Sequence, residues 1–230
     1  MTFWDKTAAD YDWRHTAPRT KYLRARELWL LQRFAFGKIA DLGCGTGWPA
    51  IELERIGLPV YGFDSSRAML ELFRAKSQDA KLCLADCRAL PIKPGKFDCV
   101  VSTLSMLNYC ERWQRAIEQL ALILKPGGRA ILSVVSDIGQ RRTSMRVHGH
   151  KTAVLGIGLA ELKQQFERNG LELVYAEGLF LFTNPNWSSF RPIGLVERLC
   201  LWLERLFAKS LLGRAKILLL VFDKKRKKEV

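Results

Sequence analysis

Asp41-Leu42-Gly43-Cys44-Gly45-Thr46-Gly47 places one carboxylate and three glycines within seven residues. Glycines so spaced let the backbone turn sharply and approach a bound group closely. A tight turn with no ligand would use the same residues. A nicotinamide dinucleotide site would need GxGxxG, with its third glycine at position 48; Trp48 stands there, and Gly47 comes one place early. The spacing is therefore GxGxG preceded by an acid. Seventeen residues after Gly47, the run Val60-Tyr61-Gly62-Phe63 ends in Asp64-Ser65-Ser66. A carboxylate there can accept both hydroxyls of a ribose, although Asp and Ser also favour the start of a helix. A third run ends in Ala85-Asp86-Cys87. It offers Asp86 to an adenine amino group or, taken alone, makes it a turn acid. The chemistry these residues suggest is nucleoside binding.

Elements must hold those residues in place. Lys38–Leu42, Pro59–Phe63, Lys81–Ala85, Phe97–Ser102 and Arg129–Val135 are short aliphatic runs with strand composition. Ala50–Ile56, Met69–Ala75 and Trp113–Leu124 lie among them with helical spacing. Strands alternating with helices predict an α/β fold with a parallel sheet buried on both faces. Gly57 and Pro126-Gly127-Gly128 fall where helices should stop. A basic connector over 140–151 follows the fifth strand. Beyond it the sequence predicts a helix (Leu159–Asn169), a long strand (Leu171–Phe182) and a turn (184–192). An amphipathic helix (Leu195–Ala208), a last strand (Ala215–Phe222) and the basic tail Lys224–Lys228 complete it. The expectation is one domain, 1–230: a lid over 1–34, a core over 35–182, and the C-terminal helix, strand and tail over 183–230.

Five motifs in order resemble the class I S-adenosylmethionine-dependent methyltransferases. They are Asp41 to Gly47, Gly62-Phe63-Asp64-Ser65-Ser66, Ala85-Asp86-Cys87, Phe97-Asp98-Cys99-Val100-Val101-Ser102 and Leu124-Lys125-Pro126-Gly127-Gly128. The resemblance spans residues 3–182 and is greatest to the small-molecule branch that includes quinone, sterol and other lipid methyltransferases. It implies a Rossmann-like, doubly wound, mostly parallel seven-stranded sheet with an N-terminal helical lid and a C-terminal amphipathic helix before the last strand. It also implies S-adenosylmethionine as cofactor, S-adenosylhomocysteine as product, and no metal. By the same resemblance, Asp41, Gly43, Cys44, Gly45 and Gly47 surround the methionine moiety and Asp64-Ser65 meets the ribose. Asp86 meets the adenine amino group, and the main chain at Cys87 and Ser102 completes the site. Phe3 to Asp12 is similar to the family's lid, where Tyr11 would contact the methionine end or act as an aromatic staple.

Displacement at a sulfonium methyl has a charged leaving group, so alignment and exclusion of water matter most. A general base is needed only where the acceptor must lose a proton. The candidates are His15, after the lid motif, and His148 and His150, in the basic connector; surface histidines are the plainer reading of each. Asn108 and Tyr109 fall where the acceptor pocket of the family forms, or begin an ordinary helix. Arg141, Arg142 and Arg146 would receive an anionic acceptor, or simply solvate a loop. The end of the fourth run carries no Asn/Asp-Pro-Pro-aromatic motif and no Pro-Cys nucleophile, which argues against nucleobase amino-group and cytosine C5 chemistry. Cys83, Cys87 and Cys99 then read as structural thiols. No His/Cys cluster has metal-ligand spacing.

Lys and Arg number 37 against 23 acids, a net +14, in a chain that is 48% hydrophobic. That is too apolar for disorder, and the excess charge favours a polyanionic partner. An RNA methyltransferase is the rival reading, without an aromatic-basic RNA-binding pattern to support it. A cofactor-binding partner subunit without turnover is another. The opening residues lack a basic stretch followed by an apolar core, and the six cysteines form no CxxC pair, so a cytoplasmic protein with reduced thiols is expected. In Leu195–Ala208, Arg198 and Arg205 recur at seven, as do Glu197 and Glu204, leaving a wide apolar arc. That arc predicts contact with an anionic membrane, a subunit or a hydrophobic acceptor, or else packing in the core.

Overall fold

The computed structural model describes residues 2–138, 142–147, 150–183 and 193–226. Two helices, α1 (Phe3–Arg14) and α2 (Pro18–Phe34), lead into β1 (Ile39–Leu42), α3 (Ala50–Arg55), β2 (Val60–Asp64), α4 (Arg67–Lys76) and β3 (Lys81–Leu84). There follow β4 (Phe97–Ser102), a 3-10 turn (Met106–Tyr109), α5 (Trp113–Ile123) and β5 (Leu124–Val135). A hairpin of β6 (Arg142–Val147) and β7 (His150–Leu155) precedes α6 (Leu159–Arg168), β8 (Leu171–Leu179), α7 (Leu195–Phe207) and β9 (Ile217–Lys224).

The main sheet has seven strands in the order β3-β2-β1-β4-β5-β9-β8. The first five are parallel, and β9 runs antiparallel between β5 and β8. Alternate residues of each strand feed opposite cores, as the pleat requires. Ile39, Val101 and Leu219 pack with Leu30 of α2, Leu53 of α3 and Phe73 of α4. Ala40, Val100 and Leu220 pack with Ile117 of α5 and Phe166 of α6. Helices on both faces explain why these strands read as unbroken apolar runs. The chain moves outward from β1 to β3 in one direction and from β4 to β5 in the other. A crevice therefore opens between β1 and β4, at the carboxyl ends of the strands, where open α/β sheets bind ligands.

Three expectations are corrected. The connector over 140–151 is not a plain loop: β6 and β7 pair antiparallel from Arg142 with Leu155 to Val147 with His150. Only two residues separate the strands, the commonest hairpin length. The fifth strand starts at Leu124 rather than Arg129, with a register shift between Phe97 and Cys99 that takes up the Lys125-Pro126-Gly127-Gly128 segment. Residues 1–34 divide in two. Leu23, Leu30 and Leu31 of α2 lie in the core, so α2 is a layer of the body.

Of these two helices, α1 is the one that lies over the carboxyl edge of the sheet. A capping box starts it: Thr2 Oγ1 accepts from the Asp5 amide at 3.1 Å and Asp5 Oδ2 from the Thr2 amide at 2.6 Å. Asp5 Oδ1 then accepts from Ser66 Oγ at 2.5 Å. Asp12 accepts from Thr46 Oγ1 at 2.6 Å and pairs with Lys76 at 2.5 Å.

Candidate active site

The glycine loop turns at the end of β1. Gly43 sits at φ +74°, and its amide donates to the Phe63 carbonyl at 2.7 Å. A Cβ on Gly43 would lie 2.4 Å from Met106 Cγ, so only glycine fits there. At Gly47, φ +106°, a Cβ would strike Ile51 and Phe73 instead, which makes that glycine a packing requirement.

Above the loop is a cavity of about 210 Å³. Gly43, Gly45 and Trp48 form one wall, with Asp64 at the end of β2, Ser65 next to it, and Asp86, Cys87 and Arg88 after β3. Thr103, Leu104, Met106 and Tyr109 after β4 form the opposite side, and Trp4 and Tyr11 of α1 close it. The Trp4 ring meets Tyr109 edge-on at 4.9 Å and Tyr11 at 6.2 Å.

Asp64 is nearly buried. Its Oδ2 accepts from the Gly45 amide at 2.9 Å and its Oδ1 from the Ser66 amide at 2.8 Å. Burial raises its pKa despite those donors. The N-cap of α4 is Ser66, whose hydroxyl accepts from Met69, so Asp64 is not the capping residue. Each carboxylate oxygen retains a second lone pair for a ligand hydroxyl. Asp86 is gripped by Arg88, with Nε–Oδ1 2.9 Å and Nη2–Oδ2 2.6 Å, and that guanidinium holds its carboxyl below the usual range. Burial pushes the Tyr109 phenol up to about 12, so its hydroxyl keeps its proton.

Beneath the loop, both carboxyl oxygens of Asp41 are buried with no hydrogen-bond partner, as is Ser102 Oγ. Burial, then the Asp64 and Glu27 charges, raises the Asp41 pKa well above the ordinary carboxylate value. Unsatisfied buried oxygens are costly. They suit a cationic donor such as the ammonium of a methionine moiety, and the Asp64 and Asp86 carboxylates suit the hydroxyls and amine of an adenosine. The residues present therefore fit S-adenosylmethionine.

The cavity brings together Tyr11, Gly43, Gly45, Asp64, Ser65, Asp86, Cys87 and Tyr109 from the residues singled out in the sequence. Asp41, Cys44, Gly47 and Ser102 do not line it; Asp41, Cys44 and Ser102 are buried. Asn108 lies elsewhere. Its amide donates to the Val135 and Leu155 carbonyls and accepts from the Val135 amide at 2.8 Å, tying β5 to the hairpin. The His15 ring lies against Tyr11 with centroids 4.1 Å apart and planes tilted by 37°, outside the cavity wall. Burial pushes it down to about 4, so it is neutral at ordinary pH. Arg141 and His148 lie outside the described residues. The backbones of Arg142, Arg146 and His150 are in the hairpin, and their side chains lie outside the description.

Trp4, Trp48, Arg88, Thr103, Leu104 and Met106 line the cavity too, and none is marked by a sequence motif as a site residue. The last three follow β4 as Ser65 follows β2, and that shared position was the available signal. Glu27 had none. It reaches from α2 to the Leu104 amide at 2.8 Å and the Ser133 hydroxyl at 2.5 Å. Among the described residues, no group of His, Cys, Asp or Glu could hold a metal ion.

Residues 40–132 match the model of a methyltransferase domain. Over 226 residues the chain is 29% identical to 27-O-demethylrifamycin SV methyltransferase of Amycolatopsis mediterranei, covering 92% of this chain and 81% of that one. It is 35% identical over 98 residues to malonyl-[acyl-carrier protein] O-methyltransferase of Buchnera aphidicola, covering 43% of this chain and 39% of that protein. The solved structure of the CcbJ methyltransferase from Streptomyces caelestis superposes with a TM-score of 0.69 over 99% of both chains, at 18% identity. The sheet order, the methyltransferase-domain match over residues 40–132 and relatives of this kind make the chain similar to the S-adenosylmethionine-dependent methyltransferases.

Proposed function

We propose that this chain transfers a methyl group from S-adenosylmethionine to a small-molecule or lipid-like acceptor by in-line displacement. The observation that carries the reading is the two-sided cavity. Carboxylates Asp64 and Asp86 stand on one side, and Leu104, Met106, Tyr109 and Trp4 stand on the other. When bound, the cofactor supplies a methyl group activated by its sulfonium. The protein's own part is positional. Asp64, locked by the Gly45 and Ser66 amides, holds the ribose hydroxyls, and Asp86, fixed by Arg88, holds the adenine amine. Gly43 and Gly45 of the loop carry the polar end of the methionine moiety, with Asp41 buried beneath them. Trp4, Tyr11 and Tyr109 shut out water and align the acceptor, which is where such a reaction gains most. The apolar side favours an apolar acceptor body.

Arg141, Arg142 and Arg146 in and beside the hairpin would meet an anionic group on that acceptor. Asn108 ties β7 to the loop after β4, so the hairpin is anchored beside the cavity. Neutralising all three arginines should raise the acceptor KM and spare cofactor affinity. The protein is proposed to act in the cytoplasm, peripheral to an anionic membrane. The test supplies radioactive S-adenosylmethionine and purified protein to lipid extract and to RNA separately. Label in the lipid extract is expected; label confined to RNA would overturn the acceptor class.

A further inference from the structure

α7 is built inside out. A helix on a soluble domain buries its apolar stripe and exposes its charges. Here the acids face inward. Glu204 Oε1 accepts from the Phe182 amide at 2.7 Å and the Thr183 amide at 3.2 Å, and Glu197 pairs with Arg19 of α2 at 2.5 Å. Leu201 is buried beside them. The outer surface belongs to Leu195, Val196, Leu199, Trp202, Leu206 and Phe207, with Leu195 85%, Val196 76% and Leu206 65% exposed. At about 100° per residue these six fill one arc of roughly 140° with no charged residue inside it. The inward ion pair and backbone bonds fix that orientation, so the helix cannot turn its apolar side in without breaking them.

We infer that this face docks on the interface of an anionic bilayer. Charge chooses the occupant. Both acids of α7 are engaged on its inner side, Glu197 by Arg19 and Glu204 by backbone amides, whereas Arg198 and Arg205 are exposed at the border of the apolar arc, and Lys209 and Arg214 are exposed just beyond. Apolar side chains enter the boundary between headgroups and acyl chains, and flanking arginines extend to the phosphates. Among the described residues no helix is long and apolar enough to cross a membrane, so the contact is interfacial. β8 runs parallel to β5 through the intervening β9, which puts Phe182, Thr183 and α7 at the same edge of the sheet as the cavity. Docking would thus bring the cavity's edge to the lipid surface. The inference goes beyond methyl transfer, because docking requires neither turnover nor a lipid acceptor.

The test is co-sedimentation of the full chain with phosphatidylcholine vesicles made with and without phosphatidylglycerol. It compares the wild type with L199S/W202S/L206S and with R198Q/R205Q. Titration of each with S-adenosylmethionine reports whether it is folded, because no substituted residue lines the cavity. The wild type should bind the anionic vesicles and lose binding at about 1 M salt, where charges are screened within ~3 Å. The triple variant should bind at least about tenfold more weakly, as expected for three large apolar side chains kept from the interface, with unchanged cofactor affinity. Equal binding by wild type and triple variant, or no binding by the wild type, would overturn the inference. So would a wild-type dimer that the triple substitution dissolves in sedimentation velocity. Failure of the wild type to bind S-adenosylmethionine would strike the methyl-transfer reading and leave docking standing.

Discussion

Glu27 Oε1 accepts the Leu104 amide at 2.8 Å across 77 positions of sequence, and that contact holds a strained loop against the cavity. Leu104 and Ser105 have φ of +49° and +61°, a region that costs a residue with a side chain about 1–2 kcal/mol. The Ser105 amide is held in turn by Ser133 Oγ at 3.2 Å, and that hydroxyl donates to Glu27. Glu27→Ala should therefore destabilise the protein by about 1–3 kcal/mol by leaving a buried amide without an acceptor. Glu27→Gln, which keeps an acceptor oxygen, should lose less. Urea unfolding of the two variants checks the order.

The same carboxyl makes stability depend on pH. Burial, opposed by the Ser133 and Leu104 donors and the Trp48 indole, lifts Glu27 from its ordinary 4.5 to about 7. Arg24 and Asp41 also face it with charge. The native state then binds a proton more tightly than the unfolded chain. Its contribution is full below pH 4.5 and is lost as pH rises through about 7, roughly 3 kcal/mol in all. Unfolding midpoints of Glu27→Gln should vary less with pH across that window than those of the wild type.

Asp5 latches α1 over the site through Ser66, and that hydroxyl, with the Thr2 amide, holds its carboxyl well below the usual range. A depressed carboxyl stabilises above its ordinary pKa and loses its contribution as pH falls toward the native value. Asp5→Ala should free α1 and raise the cofactor KM by roughly five- to tenfold, the effect of about one charged hydrogen bond, while kcat at saturation changes less. Limited proteolysis should cut near residues 15–17 faster in this variant.

The strands and the acids at their ends are legible because both are local: burial on two faces writes continuous apolar runs in β1, β2 and β4, and Asp64 ends one of them. The half-exposed edge strand β3 shows only a short run before Asp86. The hairpin is not legible. Arg141, Arg142, Arg146 and Lys151 obscure the alternation of its threonines and valines, and only pairing with the opposite strand reveals the ladder. Glu27 is one acid in a charged helix until the fold sets Leu104 against it. For α7, the sequence shows how wide the apolar arc is but not which way it faces. The capture of the Phe182 and Thr183 amides by Glu204 decides that.

Asp64 is proposed to receive the cofactor ribose at the glycine loop, a claim tested most directly by calorimetric titration of Asp64→Ala with S-adenosylmethionine. Loss of two charge-assisted hydrogen bonds, about 2–3 kcal/mol, predicts roughly 30- to 150-fold weaker binding by a variant whose circular dichroism matches the wild type. A folded variant that binds S-adenosylmethionine as tightly as the wild type would contradict the claim and leave Asp64 only its bonds to Gly45 and Ser66.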